Sequence, residues 1–301
     1  MQIGAYAALQ DWDGLFRFCY SHSRRRIQKC MPAIDDFEVV ADPVKQLGDR
    51  LTSMLFLRED VQAAKKRYVY TYSRDTVKNG GSFYTPAEIN YLGLISQVGS
   101  TVKENPIPSN CIEVDGKDFS RTGKDSAAWQ KAAKNQKVVS ETGEIVLDPA
   151  KKLFSVITPK TEAFVLEKGA VSGKTLKVSN ASEFQLVSLL SLDNAPLKNS
   201  RRMLFMHLTD ITNTNSKVEF EGSKARTLFL GELPLLVKNA KVQVSLENNG
   251  RKFDIYALSA DGKRLNQVKT SVKNGKTLFT ANTAMHKSGV MAYEIITSGG
   301  K

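Results

Sequence analysis

A chain of 301 residues with 41% hydrophobic and 25% charged side chains has the composition of folded protein, not of a disordered tail, and has room for about two or three domains. No apolar run approaches the roughly 20 residues that a membrane-spanning helix needs, and the first residues lack the basic-then-apolar layout of a signal peptide. The net charge of +12 invites a nucleic-acid reading, but lysine and arginine are scattered among acids in every segment and no zinc-finger spacing or RNP-like aromatic motif accompanies the short run Arg24, Arg25, Arg26. The charge reads as a solvated basic surface, and neither nucleic acid nor membrane is expected as a partner.

In chain order, MQIGAYAALQ reads as the end of a helix. The stretch Asp11–Ser23, DWDGLFRFCYSHS, then gives a turn followed by an aromatic strand over Leu15–Tyr20, with Gly14 permitting a tight entry. A buried parallel strand needs neighbours on both sides, and no further βα repeat is legible downstream, so the strand is expected to belong to a sheet begun upstream of Met1. The three cysteines, Cys19, Cys30 and Cys111, have no metal-ligand spacing, and Cys19 reads as a small buried hydrophobe in that strand.

Asp42 is suited to cap a helix that opens on Pro43, and Val44, Leu47, Leu51, Met54 and Leu55 share one face of it to about Leu57. Tyr68, Tyr70 and Tyr72 share one face of a strand. Such a ladder serves sugar-binding surfaces as well as sheet packing, and packing is the favoured cause. Between Asn79 and Lys134 the signals are a turn at Asn79–Gly81, a capping box from Thr85 to Glu88 and a short helix through Leu92 and Ile95. A helical turn around Trp129 completes a packed excursion covering a sheet.

From Lys137 the pattern changes to period two. Short strands are expected at 138–141, 144–148, 153–158, 162–167, 175–178 and 184–192, then at 202–208, 227–230, 240–246, 253–258, 267–272, 277–281 and 290–296. Gly143 and the pairs Asn249–Gly250, Asp261–Gly262 and Asn274–Gly275 mark hairpin turns. Many short strands with such turns predict antiparallel β-sandwiches. The two series are expected to meet at the polar stretch Asn213–Lys224. His207 reads as a core residue and His286 as a turn residue.

Five runs, in this order, resemble the C-terminal part of a bacterial glycoside hydrolase of the (β/α)8-barrel type, the clan that includes β-galactosidases and agarases. They are YAALQDWDGLFRFCYSHS, ADPVKQLGDRLTSMLFLREDVQAAKK, VVSETGEIVLDPAKKLFSVITPKTEAFV, RRMLFMHLTDITNT and GELPLLVKNAKVQVSLENNGRKFDIYALSADGKR, and together they cover most of the chain. The resemblance implies a mostly β fold, in which the last strand and helix of a (β/α)8 barrel are followed by antiparallel β-sandwich domains. Residues 1–66 would close the barrel, with Gly14–Ser21 as its eighth strand and Pro43–Leu57 as its eighth helix. Residues 67–222 would form a β-sandwich with a helical excursion, and 223–301 a small C-terminal β-sandwich.

The implied chemistry is hydrolysis of O-glycosidic bonds in oligo- or polysaccharides by two glutamates, at the ends of the fourth and seventh barrel strands. Both positions precede Met1, so no catalytic residue, metal or cofactor is expected here, and the chain alone is expected to be inactive. What remains of the site is the end of strand eight, since such barrels gather their sites at the C-terminal ends of their strands. Tyr20, Ser21 and His22 are therefore the expected substrate-binding residues, with Tyr20 standing where the clan more usually has Trp. Trp12 and Asp13 fall at the opposite, stability end, with Asp13 bonded to the turn backbone. The implied partners are a carbohydrate and the upstream barrel of the same protein, which is expected to be secreted or periplasmic. The competing expectation is a non-catalytic carbohydrate-binding or structural β-sandwich protein.

Overall fold

The computed structural model describes residues 1–28, 38–79, 91–115, 137–222 and 224–299. The capping box at Thr85 and the turn around Trp129 lie outside them. The described chain is mostly β, with 44% strand and 14% helix, and its antiparallel sheets have the character of a β-sandwich. After Lys137 the described helical structure is the single 3-10 turn Pro149–Lys151, as the period-two pattern requires. Two compact units are present, one of residues 1–15 and 52–156, the other of residues 16–51 and 157–301.

The helix Pro43–Phe56 forms as its sequence dictates. Asp42 Oδ1 accepts the Lys45 N–H at 2.9 Å, which satisfies one orphan donor of the first turn, and Leu51 and Leu55 are fully buried. In the first unit, helix Gln2–Leu9 buries Gly4, Ala5, Ala7, Ala8 and Leu9. Gly4 is there because a Cβ would lie 2.8 Å from the backbone oxygen of Thr52.

Strand β1 (Arg67–Tyr72) is the centre of a parallel sheet, flanked by β2 (Gln97–Val102) and β3 (Cys111–Asp115). This corrects the expectation that no further βα repeat follows, because a short helix, Arg74–Lys78, does lead out of β1. The pattern was hidden because the helix leading out of β1 is only five residues long, too short to show an apolar stripe. Tyr68 and Tyr70 pack on Leu92 and Val114, and Tyr70 meets Tyr72 edge-on at 4.7 Å, so the tyrosine ladder is a packing device. A meander of β4 (Val138–Val139), β5 (Ile145–Asp148) and β6 (Leu153–Ile157) follows, turning at Gly143.

The second unit carries β7 (Thr161–Leu166), β8 (Gly169–Ser172), β9 (Leu176–Ala181), β10 (Gln185–Ser191), β11 (Arg202–Leu208), β12 (Ile211–Thr214), β13 (Lys217–Glu221) and β14 (Lys224–Phe229). It continues with β15 (Glu232–Val237), β16 (Lys241–Glu247), β17 (Phe253–Leu258), β18 (Arg264–Gln267), β19 (Ser271–Lys273), β20 (Lys276–Asn282) and β21 (Ala292–Thr297). One antiparallel run has the order β18-β17-β21-β11-β10-β7 and the other the order β19-β20-β16-β9-β8. Each draws strands from both sides of residue 222. The alternation in β16 shows why the faces sort: Val242, Val244 and Leu246 are buried while Lys241 and Gln243 face water.

Phe205 on β11, Phe279 on β20 and Tyr293 on β21 meet with ring centroids 5.6 to 5.9 Å apart, which packs one sheet on the other. Buried Tyr293 satisfies its hydroxyl on β20, donating to Asn282 O at 3.1 Å and accepting the Asn282 N–H at 2.8 Å. Burial pushes that phenol up to about 12, the Asn282 N–H pulling against it. The Asn274–Gly275 turn between β19 and β20 has positive φ at both residues, which is the backbone twist a two-residue hairpin demands, whereas Asn249–Gly250, expected as a hairpin turn, has the same positive φ but carries the chain from β16 to β17 in the other sheet.

Three expectations are corrected. Asn213–Lys224, expected as a polar meeting point poor in strands, holds the end of β12, the whole of β13 and the first residue of β14, and the expected strand 267–272 is split between β18 and β19, which belong to different sheets. Leu15–Tyr20 forms no strand. A parallel strand is held by ladders on its flanks, and no described strand pairs with this segment, so Phe16, Phe18 and Tyr20 stand 97%, 72% and 56% exposed.

Candidate functional site

The residues expected at a sugar site, Tyr20, Ser21 and His22, lie in an irregular loop of the second unit, and local hydrogen bonds decide what each can offer. Tyr20 O accepts the N–H groups of Val39 and Val40 at 3.2 and 3.0 Å, which fixes the backbone and leaves the ring turned outward. Ser21 Oγ donates to Ser23 O at 3.0 Å and so closes a turn. His22 is held by Glu38. Its backbone N–H donates to Glu38 Oε1 at 2.7 Å, and its Nδ1 lies 3.2 Å from the same oxygen.

Glu38 is the organiser of this loop, and nothing in its sequence context singled it out. The side chain is almost wholly buried, and its second oxygen takes Arg26 Nη1 at 2.5 Å. The Arg26 hydrogen bond holds its carboxyl below the usual value, against the opposing effect of burial and with help from the His22 N–H. An acid so paired is a clamp between the arginine helix Arg24–Gln28 and the loop before it.

Cys19 is half-exposed, contrary to its expected burial, and its Sγ lies 3.2 Å from His22 Nδ1. Cysteine, histidine and carboxylate together suggest a nucleophile, a base and an orienting group. The geometry denies it. Thiol and carboxylate both address Nδ1, with Nε2 at 3.6 Å from Sγ, whereas a relay needs them on opposite ring nitrogens. Phe18 meets the His22 ring edge-on at 5.2 Å, adding a packing contact to the clamp. Among the described residues no group of three or more His, Cys, Asp or Glu side chains could hold a metal ion.

A better-formed concavity lies in the first unit. Trp12, half-exposed, lines a cleft of about 350 Å³ with Asp11, Asp13, Leu57, Glu59 and Gln62. That volume is at the lower end of the ~300–1,000 Å³ typical of small-ligand sites. Asp11 and Glu59 both have positive φ, at 58° and 56°, which turns the chain sharply at each end of the cleft. Asp11 is steadied by Arg67 at 3.2 Å, and Gln62 Nε2 donates to Glu59 O at 3.0 Å. An open indole face beside carboxylates suits a sugar, whose C–H face stacks on the ring while its hydroxyls donate to the acids. Sequence reasoning places Trp12 and Asp13 at a stability end. The signal it passes over is the alternation of acid and aromatic in DWD.

Comparison of the chain with protein-family models, with curated proteins and with solved structures finds no match.

Proposed function

We propose that the chain is the C-terminal portion of a (β/α)8-barrel glycoside hydrolase that cleaves O-glycosidic bonds in oligo- or polysaccharides, its two catalytic glutamates lying upstream of Met1. The observation that carries this reading is the solvent-facing row Phe16, Phe18 and Tyr20 on a segment with the composition of a strand. Burying a phenylalanine is worth about 1.5–3 kcal/mol, so such a row fits a surface that packs against further strands. The helix Pro43–Phe56 and, beyond the intervening parallel sheet, the antiparallel β-sandwich strands follow in the order the resemblance implies. In this reading Tyr20 lies beneath a sugar, while Ser21 and His22 shape the loop that presents it.

A second reading, non-catalytic carbohydrate binding, is favoured by one observation, the Trp12 cleft with its three acids. The two readings separate in one set of assays on galactosides, glucosides and agar-type polymers. Residues 1–301 alone should show no turnover, because both carboxylates of the retaining or inverting pair are needed. Turnover by this chain alone would overturn the first reading. In the complete gene product Tyr20→Ala should lower kcat/KM about tenfold, a loss of ~1.4 kcal/mol of the size of one aromatic contact. Unchanged kcat/KM would remove Tyr20 from the site. If the second reading holds, Trp12→Ala and not Tyr20→Ala weakens retention of residues 1–301 in polysaccharide affinity gels.

A further inference from the structure

In the hairpin β13–β14 of the second unit every described residue of both strands is exposed, with Phe220 at 74%, Leu228 at 56% and Val218 at 44%. It forms a sheet of its own, so neither outer edge is covered by a described strand. Its two faces differ. One carries cross-strand pairs of opposite charge, Glu219 with Arg226 and Glu221 with Lys224. The other carries Val218 and Phe220, opposite Thr227 and Ala225. An isolated two-stranded hairpin is marginal in water, and an apolar face on a free edge is a template for another strand.

We propose that the β13 edge pairs with β13 of a second copy of this chain, antiparallel about Glu219, to make a four-stranded sheet across a two-fold axis. The sequence of the edge selects this occupant. Lys-Val-Glu-Phe-Glu is self-complementary when reversed on itself: Lys217 falls opposite Glu221 of the second copy, and Val218 opposite its Phe220. Each contact occurs twice, giving two ion pairs on the charged face and two apolar pairs on the other. Glu219 meets its own copy on the axis, and each is flanked by the Arg226 of its own hairpin, so charge runs plus, minus, minus, plus across the sheet. The β14 edge offers no such match. Reversed on itself it sets Lys224 against Phe229, Ala225 against Leu228 and Arg226 against Thr227, with no opposite charges.

This inference stands apart from the proposed hydrolase reading and uses none of its residues. Its test is sedimentation of residues 1–301 from low to about 100 µM, a range spanning ordinary weak dimers. Wild type should show a concentration-dependent dimer. Lys217→Glu turns each ion pair into two facing carboxylates, and Glu221→Lys turns each into two facing ammonium groups, so either variant alone should dissociate at least tenfold more readily. In an equimolar mixture of the two, pairing one variant with the other sets two carboxylates of one copy against two ammonium groups of its partner. Opposite charges then face each other again at both contacts, and the dimer should be recovered as a heterodimer. Phe220→Ser should weaken it without rescue by either charge variant. A wild-type chain that stays monomeric, single variants that associate like wild type, or a mixture no better than its components would each overturn the proposal. The second of these outcomes would point instead to association through another face, such as the one bearing Phe16 and Phe18.

Discussion

Replacing Glu162 with alanine is expected to cost the second unit at least about 3 kcal/mol, from three backbone donors left without an acceptor at about 1–3 kcal/mol each. The side chain on β7 is 1% exposed. Its Oε1 accepts the N–H groups of Lys174 and Thr175 at 2.9 and 2.8 Å, and its Oε2 accepts that of Leu176 at 2.8 Å. Those three donors belong to the turn that leads into β9, in the other sheet, and alanine would leave them without an acceptor. Each orphaned buried donor costs about 1–3 kcal/mol. Burial pushes the carboxyl above its usual value, and the three N–H groups pull it back.

Two variants distinguish this role from mere volume loss. Glu162→Gln keeps the shape but must turn one NH₂ toward N–H donors, so an intermediate loss of about 1–3 kcal/mol is expected. Gly173→Ala would place a Cβ on Glu162 Oε2 and should be destabilising although it removes no hydrogen bond. Urea midpoints at fixed slope measure all three. A midpoint unchanged in Glu162→Ala would show that the three N–H groups find other partners.

The β architecture was readable because half-buried antiparallel strands write period two into the chain: Val242, Val244 and Leu246 declare a face by themselves. Helix Pro43–Phe56 was readable for the same kind of reason, a cap at Asp42 and a stripe through Leu51 and Leu55. Pairing was not readable. That β9 and β16 lie side by side, or that residues 267–272 divide between two sheets, depends on contacts far apart in sequence. The strand expected at Leu15–Tyr20 shows the limit from the other side, since propensity proposes a strand and only neighbours can make one. Of the loop carrying Tyr20, the aromatic run was legible but its exposure was not, since the same run was expected to lie in a buried strand. Glu38 was not, because its importance comes from Arg26 and His22 meeting it across a loop. The Trp12 cleft was hidden likewise, because Glu59 joins Asp11 and Asp13 only through folding.

Between pH 6.5 and about 4 the protein is expected to lose about 3 kcal/mol of stability through His207 alone. This histidine on β11 is fully buried. Gln185 Nε2 donates to Glu183 O at 2.7 Å, which fixes Gln185 Oε1 as an acceptor facing His207 Nε2 at 2.7 Å. Nε2 therefore carries the proton, and Nδ1 is a buried nitrogen with no hydrogen-bond partner among the described residues. Protonating it would create a buried donor with nothing to receive it, so burial holds the imidazole down at about 4, from its usual 6.5. In the unfolded chain the same ring takes up its proton at ordinary pH. As pH falls through that window the unfolded state binds the extra proton first, so the contribution is complete above 6.5 and lost progressively to about 4. A gap of that size, at 1.36 kcal/mol per pH unit, gives the magnitude. The carboxylates held below their usual values, Asp193 at about 2 together with Glu38 and Glu294, lose their contributions mainly at lower pH, whereas Glu162, held above its usual value by burial, takes up its proton in the folded state first and works against the histidine's loss. In His207→Leu the drop in stability across the window should flatten, while stability at pH 7 falls about 1–3 kcal/mol because Gln185 Oε1 loses its donor. Imidazole nitrogen shifts should report a neutral Nε2–H ring in the folded protein at pH 5; a folded-state titration of His207 near 6.5 would exclude this origin for the acid sensitivity.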